Sequence, residues 1–154
     1  MRFLTVALLF AAVPATAQVP QARTWWAFVS LGPGGAADSG FYASGVGAAW
    51  QRGSKLYMAR VASLDTKTQK RISDAGFLVG VSRRPTRFQL AFAGGIGVVK
   101  DSRDSTALAM PFEAQGTWIL SDVFAIGLRT FASINRLENF GGTAVTVHLG
   151  RIRR

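Results

Sequence analysis

Large apolar side chains occupy every second position of the segment RFQLAFAGGIGVVK, residues 87–100. Phe88 and Phe92 belong to this bulky series, whereas Arg87 and Gln89 open a second series whose other members are mostly glycine and alanine. Successive side chains of a β-strand point to opposite faces, so the pattern predicts a strand with one bulky apolar face and one small or polar face. The fold of the chain depends on which of these faces lies inside.

The same alternation recurs along the chain, and helical periodicity is scarce. Eight segments carry it, at 24–32, 40–51, 55–64, 72–82, 87–99, 106–119, 123–135 and 142–152. Many short strands at near-regular spacing are typical of an all-β barrel or sandwich. No linker divides the chain, so we expect one β domain.

The two faces differ in a way that favours a membrane barrel. In the sixth segment Leu108 and Met110 alternate with Ala107 and Glu113. A face of glycine and alanine with a few long polar residues is a poor solvent coat but suits the narrow lumen of eight strands. The bulky face would then contact lipid. We therefore predict an eight-stranded antiparallel up-and-down transmembrane β-barrel.

Connection lengths support this topology independently. The turns RGSK, RRPT and LSD are short, whereas the connections GPGGAADSG, DTKTQKRI, KDSRDS and NRLENFGG are longer. Short turns therefore alternate with long loops, which is typical of outer-membrane barrels with short periplasmic turns and longer external loops. Both termini are predicted at the short-turn end.

The N-terminal segment is predicted to be removed on export. Residues 1–17 contain Arg2, an apolar stretch and the small-residue pattern Ala15-Thr16-Ala17, which together are typical of a cleavable secretory signal peptide. The barrel domain would then comprise residues 18–154, in the bacterial outer membrane. The chain has no cysteine, which excludes disulfides and a lipoprotein anchor.

Aromatic residues cluster at one predicted end of the outward face. Strand parity and turn register place there Trp25, Trp50, Tyr57, Trp118 and Phe124. Aromatic rings prefer the membrane–water interface, so these five residues are predicted to form a girdle on the periplasmic side. Tyr42 and Phe140 are candidates for a girdle at the other end.

The signal peptide, the eight strands and the alternating turn lengths resemble the small outer-membrane barrels of the OmpA and OmpX type. The resemblance implies a monomer surrounded by outer-membrane lipids and lipopolysaccharide, and inserted by the barrel-assembly machinery. Two features depart from it. The chain ends HLGRIRR rather than in an aromatic residue, and Pro111 interrupts the sixth strand, where it predicts a bulge.

Polar residues on the small face are predicted to form a network inside the lumen. They are Arg60, Asp74, Arg87, Gln89, Glu113, Gln115, Arg129 and His148. The short turn after the sixth strand places either Glu113 or Gln115 opposite Arg129, and a buried arginine requires a partner. The network would fill the lumen structurally, or else line a narrow pore; filling is favoured because eight strands enclose little more than side chains.

No catalytic, cofactor-binding or metal-binding residues are predicted. Some eight-stranded barrels are enzymes that use a histidine at the outer leaflet, but the single histidine here, His148, points inward near the periplasmic end. A nucleophile requires its base within hydrogen-bonding reach, and the position of His148 does not suit this role. The chain also lacks cysteine ligands for a metal, and its glycine-rich stretches do not lie between a strand and a helix.

The formal net charge of +10 raises the question of a polyanionic partner. The chain has no nucleic-acid-binding motif, and export argues against such a role. Attraction to anionic lipid headgroups explains basic residues near the short turns. A second hypothesis is a soluble periplasmic barrel that binds a small apolar ligand, with the bulky face turned inward.

Overall fold

The computed structural model describes residues 23–36, 42–66, 71–84 and 87–152. These residues form eight strands: β1 (Arg23–Gly32, continued after Pro33 by Gly34–Ala36), β2 (Tyr42–Arg52), β3 (Lys55–Asp65), β4 (Arg71–Arg83), β5 (Phe88–Lys100), β6 (Thr106–Ile119), β7 (Phe124–Asn135) and β8 (Phe140–Arg151). Within these ranges, no helix has the length and apolarity needed to cross a membrane. The predicted signal peptide, residues 1–17, lies outside the described residues.

Each strand pairs antiparallel with the next along the chain, and β8 pairs with β1 to close the sheet. Every predicted segment corresponds to one of these strands, so the predicted eight-stranded antiparallel barrel is confirmed. Pro33 divides β1, but the pairing with β8 continues beyond it in the same register. The barrel wall is therefore continuous around its whole circumference.

The register of the wall sets the width of the lumen. A path of paired residues that starts at Thr24 in β1 and passes through each strand returns to β1 at Gly34, ten residues further along. With eight strands, this stagger tilts the strands by about 40° and gives a backbone radius of about 8 Å. Such a lumen has room for side chains and for little else.

The bulky apolar face lies on the outside of the barrel. Phe92 is 49% exposed, Leu128 59% and Leu108 81%, whereas Ala91 and Arg129 on the opposite face are buried. This arrangement confirms the outward assignment of the bulky face. It contradicts the inverse arrangement, in which a soluble barrel would enclose these side chains.

Local chemistry explains the tight turn between β2 and β3. Arg52 pairs with Lys55, which leaves Gly53 and Ser54 as a two-residue turn. Gly53 has a φ angle of 61° at the first turn position, where a type II′ hairpin requires glycine. This turn sets the register that brings Trp50 opposite Tyr57 on the outer face.

The predicted bulge at Pro111 is wrong. The pairing of β5 with β6 follows the same register on both sides of the proline, from Gly94 with Phe112 to Gly97 with Ala109, so no extra residue is inserted. Two pairs are missing from the ladder between these positions. A proline has no N–H to donate, and here the wall tolerates the lost hydrogen bonds without a change of register.

The outward face predicts the response to a charge placed in it. Phe92→Arg and Leu128→Arg should each lower the free energy of unfolding in bilayers by about 2–4 kcal/mol, because an arginine on the lipid face loses its hydration near the bilayer centre. The free energy of folding can be measured by urea titration of the barrel in lipid vesicles.

Phe92→Leu is the matched control, since it changes shape without adding charge, and it should fold nearly as well as the original chain. If Phe92→Arg folded into vesicles with unchanged stability, the lipid-facing assignment of β5 would have to be abandoned.

Candidate functional site: the closed lumen

A layer of charged side chains crosses the middle of the lumen. Arg60 donates to both carboxylate oxygens of Asp74, with Nη1–Oδ1 and Nη2–Oδ2 distances of 2.9 and 3.2 Å. Its Nε also lies 3.1 Å from Oε2 of Glu113, on a strand of the far wall. Arg129 Nη2 donates to the same Glu113 oxygen over 2.8 Å. Two guanidinium groups and two carboxylates thus form one electrically balanced layer.

Neutral partners complete the layer. Gln115 donates to Oε1 of Glu113 over 2.5 Å, and Arg129 Nη1 donates to the hydroxyl oxygen of Ser30 over 2.7 Å. Gln115, rather than Glu113, is the residue directly opposite Arg129 in the ladder. Glu113 contacts Arg129 from two residues earlier in β6, the preceding inward position. Two contacts of the layer, from Arg60 to Glu113 and from Arg129 to Ser30, connect strands that are not neighbours in the wall.

The guanidinium groups also pack against aromatic rings. Arg129 lies 4.7 Å from the ring centroid of Phe131 and 5.2 Å from that of Phe28, and Arg60 lies 5.3 Å from that of Phe131. These distances permit cation–π attraction. A Cβ at Gly45 would overlap Nη1 of Arg129, so glycine at this position leaves the space that the guanidinium occupies.

Two apolar layers enclose the charged layer, and the alternation pattern predicted neither. The layer at the short-turn end consists of Trp26, Phe28, Ala49, Leu56, Met58, Leu78, Ala91, Ile119, Ala125 and Ile152. The layer at the loop end consists of Ala43, Ala62, Leu64, Ile72, Val99, Ala109, Phe131 and Phe140. The expectation of a lumen lined mainly by glycine and alanine was therefore incomplete. Phe140, a candidate for the outer girdle, lies inside the barrel.

The remaining residues of the predicted network lie elsewhere. Gln89 is buried near the short turns, where it donates to Ser82 and Gln51. His148 is 2% exposed, with its ring 6.2 Å from that of Trp26. Arg87 is exposed at the start of β5 and contacts none of the charged layer, so its placement in the lumen was wrong. The N–H of Ile119 donates to the carbonyl oxygen of Arg87 over 2.7 Å, so Arg87 keeps the strand register and is exposed because it lies at the rim of the barrel.

The chemistry available to the buried groups is limited. Nε2 of His148 has no hydrogen-bond partner among the described residues, and the rings of Trp26 and Phe28 lie beside it. Within the described ranges, no group of three or more histidine, cysteine, aspartate or glutamate side chains is arranged to hold a metal ion. The charged groups of the layer are buried and pair with one another.

The five predicted girdle residues lie at the short-turn end. Trp25, Trp50 and Trp118 are exposed on the outer face, while Tyr57 and Phe124 are partly buried. Trp50 and Tyr57 contact each other with ring centroids 5.8 Å apart. The ring contact of Trp118 is with Phe88, at 6.4 Å, which adds a sixth aromatic residue to this cluster at the short-turn end.

The shared Glu113 oxygen predicts strong energetic coupling. Glu113→Ala should destabilise the barrel by about 3–5 kcal/mol, because it leaves two arginines around one remaining carboxylate. Glu113→Ala/Arg129→Ala should cost less than the sum of the two single changes, because Arg60 and Asp74 then remain as a balanced pair. Urea titration in vesicles supplies the four free energies of unfolding.

Gln115→Ala is the control, since it removes a partner of Glu113 without a charge, and its effect should be smaller than that of Glu113→Ala. Additive free energies for the Glu113 and Arg129 changes would show that the two residues do not stabilise each other.

Known proteins resemble this chain in fold and not in sequence. No protein-family model matches it, and no curated protein matches by sequence. The crystal structure of Neisserial surface protein A superposes with a TM-score of 0.61 at 5% identity, over 82% of this chain and 95% of that one. Ail, the attachment invasion locus protein of Yersinia pestis, gives 0.55 at 8% identity, over 83% and 97%.

A structure from the de novo design of transmembrane β-barrels gives a TM-score of 0.52 at 13% identity, over 88% of this chain and 99% of the designed one. The match to a designed sequence indicates that the likeness resides in strand number, pairing and closure. The architecture of this chain is that of the small eight-stranded outer-membrane β-barrels.

Proposed function

We propose that this protein is a sealed outer-membrane barrel with a structural role in membrane integrity and without catalytic activity. The barrel spans the bilayer and displays its longer loops outside the cell. The predicted export signal is consistent with this location.

The outer surface supports the membrane part of the proposal. Valine, leucine, isoleucine, methionine and phenylalanine side chains cover the exposed face of the strands. Soluble proteins rarely expose so large a continuous apolar surface, whereas a lipid-facing wall requires it. At the short-turn end the exposed apolar residues give way to tryptophans and then to arginines.

The filled lumen is the observation that carries the proposal of a sealed barrel. Arg129 is 0% exposed and Asp74 1%, so neither charge can be reached by solvent from either mouth. An apolar layer lies on each side of these charges. An ion that entered would have to lose its hydration twice, and this double barrier favours the sealed barrel over a narrow pore.

The same packing argues against a soluble carrier of apolar ligands. Such a carrier needs an apolar cavity, but here the large interior side chains, such as Trp26, Phe28 and Leu78, pack against one another. The apolar surface that remains available faces outward. The proposal therefore assigns that surface to lipid rather than to a small ligand.

A fractionation and conductance experiment tests the proposal. The protein should leave bacterial membranes only with detergent, and its migration on a gel should change on boiling, as expected for a folded barrel. In planar bilayers the purified barrel should give no resolved channel steps. Glu113→Ala/Arg129→Ala should also remain silent, because both apolar layers are intact in that variant.

An established porin, added to the same bilayer afterwards, shows that channels would have been detected. Regular conductance steps from the unmodified chain would replace the sealed barrel with the narrow pore. Release of the protein without detergent would reject the membrane location itself.

A further inference from the structure

The charge of the described chain is concentrated at one end of the barrel. The charged layer inside is balanced, with Arg60 and Arg129 against Asp74 and Glu113. The described residues of the loop end are balanced too, with four cations (Arg71, Lys100, Arg103 and Arg136) and four acids (Asp65, Asp101, Asp104 and Glu138). The short-turn end has seven cations (Arg23, Arg52, Lys55, Arg83, Arg84, Arg87 and Arg151) and one acid, Asp122.

Charges at the loop end pair with each other. Lys100 Nζ lies 2.7 Å from Oδ1 of Asp104, and the ammonium group holds the pKa of this carboxyl below its usual value. Nε of Arg71 lies 3.7 Å from Oδ1 of Asp65. The cations of the short-turn end form no salt bridge to any described residue. Arg84 Nη1 donates to the carbonyl oxygen of Ile152, whereas Arg23, Arg52 and Lys55 are exposed and available to an external anion.

Three of these cations stand side by side. Arg23 pairs with Arg52 in the β1–β2 ladder, and Arg52 pairs with Lys55 in the β2–β3 ladder. All three are exposed, and strand parity places them on the outer face. Like charges directly opposite each other in a sheet repel. A bound anion would relieve this repulsion.

An aromatic row lies next to this cationic row on the same three strands. Trp25 pairs with Trp50, and Trp50 pairs with Tyr57, each ring two residues further into the barrel wall than a cation. Residues two apart on a strand share a face, so the rings border the cations on the membrane side. This combination matches a phospholipid, whose phosphate lies at the interface beside the glycerol and upper acyl chains.

We propose that Arg23, Arg52 and Lys55, together with the row of Trp25, Trp50 and Tyr57, form a binding site for the headgroup of an anionic phospholipid in the periplasmic leaflet. The inference rests on the proposed membrane location. The cations would contact the phosphate oxygens, and the rings would pack against the glycerol region. Because the cations project sideways from the wall, beside the apolar belt, they are placed for lipid rather than for a soluble polyanion below the barrel.

The opposite sector of the rim makes the site one-sided. The turn between β6 and β7 has no cation, and it exposes Leu120 (52%) and Val123 (60%) instead. If cations were distributed evenly around the rim, this turn would carry them as well. The anionic lipid is therefore expected along β1–β3 and not around the whole barrel.

Tryptophan quenching by lipids with brominated acyl chains measures this preference. The chain carries Trp118→Phe, so that Trp25 and Trp50 are the exposed tryptophans, and it is folded into phosphatidylcholine vesicles. Brominated phosphatidylglycerol should associate with these rings at least about fivefold more strongly than brominated phosphatidylcholine at low salt. Raising the salt concentration should weaken the preference, because screening acts on the charges.

Two variants that lose the same number of charges distinguish binding at this site from attraction by the total charge of the rim. Arg23→Gln/Arg52→Gln/Lys55→Gln should reduce the preference to about onefold. Arg83→Gln/Arg84→Gln/Arg87→Gln removes the same charge from the same end and should retain more than half of it. Arg23→Lys/Arg52→Lys keeps the charge and should preserve the preference, which also guards against a folding defect in the glutamine variant.

Each remaining outcome overturns the site. An equal loss of preference in the two glutamine variants would show that the rim attracts anionic lipid only through its total charge. No preference in the unmodified barrel would show that the rim does not attract anionic lipid at all. Loss of the preference on adding inorganic phosphate, at ionic strength matched with chloride, would identify a site for free phosphate instead. If the barrel folded equally well without any bilayer or detergent, the proposed membrane function would be wrong. If the barrel inserted normally but showed no lipid preference, only the proposed lipid site would be wrong.

Discussion

The balance of charge inside the lumen is the condition on which the closed barrel depends. An arginine that is enclosed by protein, and surrounded at a short distance by lipid, loses its hydration and must recover the lost free energy from partners. Arg60 and Arg129 recover it from Asp74 and from one shared oxygen of Glu113. The contact between Arg60 and Glu113 crosses the lumen, so it links strands that do not pair in the wall. The apolar layers above and below bury these contacts, and charge pairs are stronger in such a low-dielectric surrounding.

Much of this arrangement follows from strand parity and turn length. Alternation alone separates inward from outward residues, and a short turn sets the register of its hairpin. The two rules together are sufficient to predict from the sequence that Arg129 lies opposite Gln115 or Glu113. They assign Arg60 and Asp74 to the lumen but not to each other, because the long loop after β3 does not restrict the register of β4. Parity is also insufficient for Arg87, because this residue keeps the strand register but lies at the rim, where alternation does not separate lumen from solvent.

The apolar layers escaped prediction for a different reason. Alternation identifies one bulky series per strand, but Trp25-Trp26, Leu56-Tyr57-Met58 and Phe77-Leu78-Val79 place bulky residues on both faces. Such runs occur where the strands approach the short turns, and they indicate a lumen that is filled at that end. The bulge predicted at Pro111 was wrong for another reason. A proline in the sequence shows that one hydrogen-bond donor is missing, but it does not show whether the pairing with the neighbouring strand changes register.

The two prolines within strands divide the wall into unequal parts. Pro33 interrupts β1 beside β8, and Pro111 leaves two missing pairs between β5 and β6. These lines separate an arc of five strands, β1 to β5, from an arc of three, β6 to β8. Each line loses only the hydrogen bonds at its proline, since the register is the same on both sides of it. The links from Arg60 to Glu113 and from Ser30 to Arg129 connect one arc to the other, so the two arcs are joined through the lumen as well as through the wall.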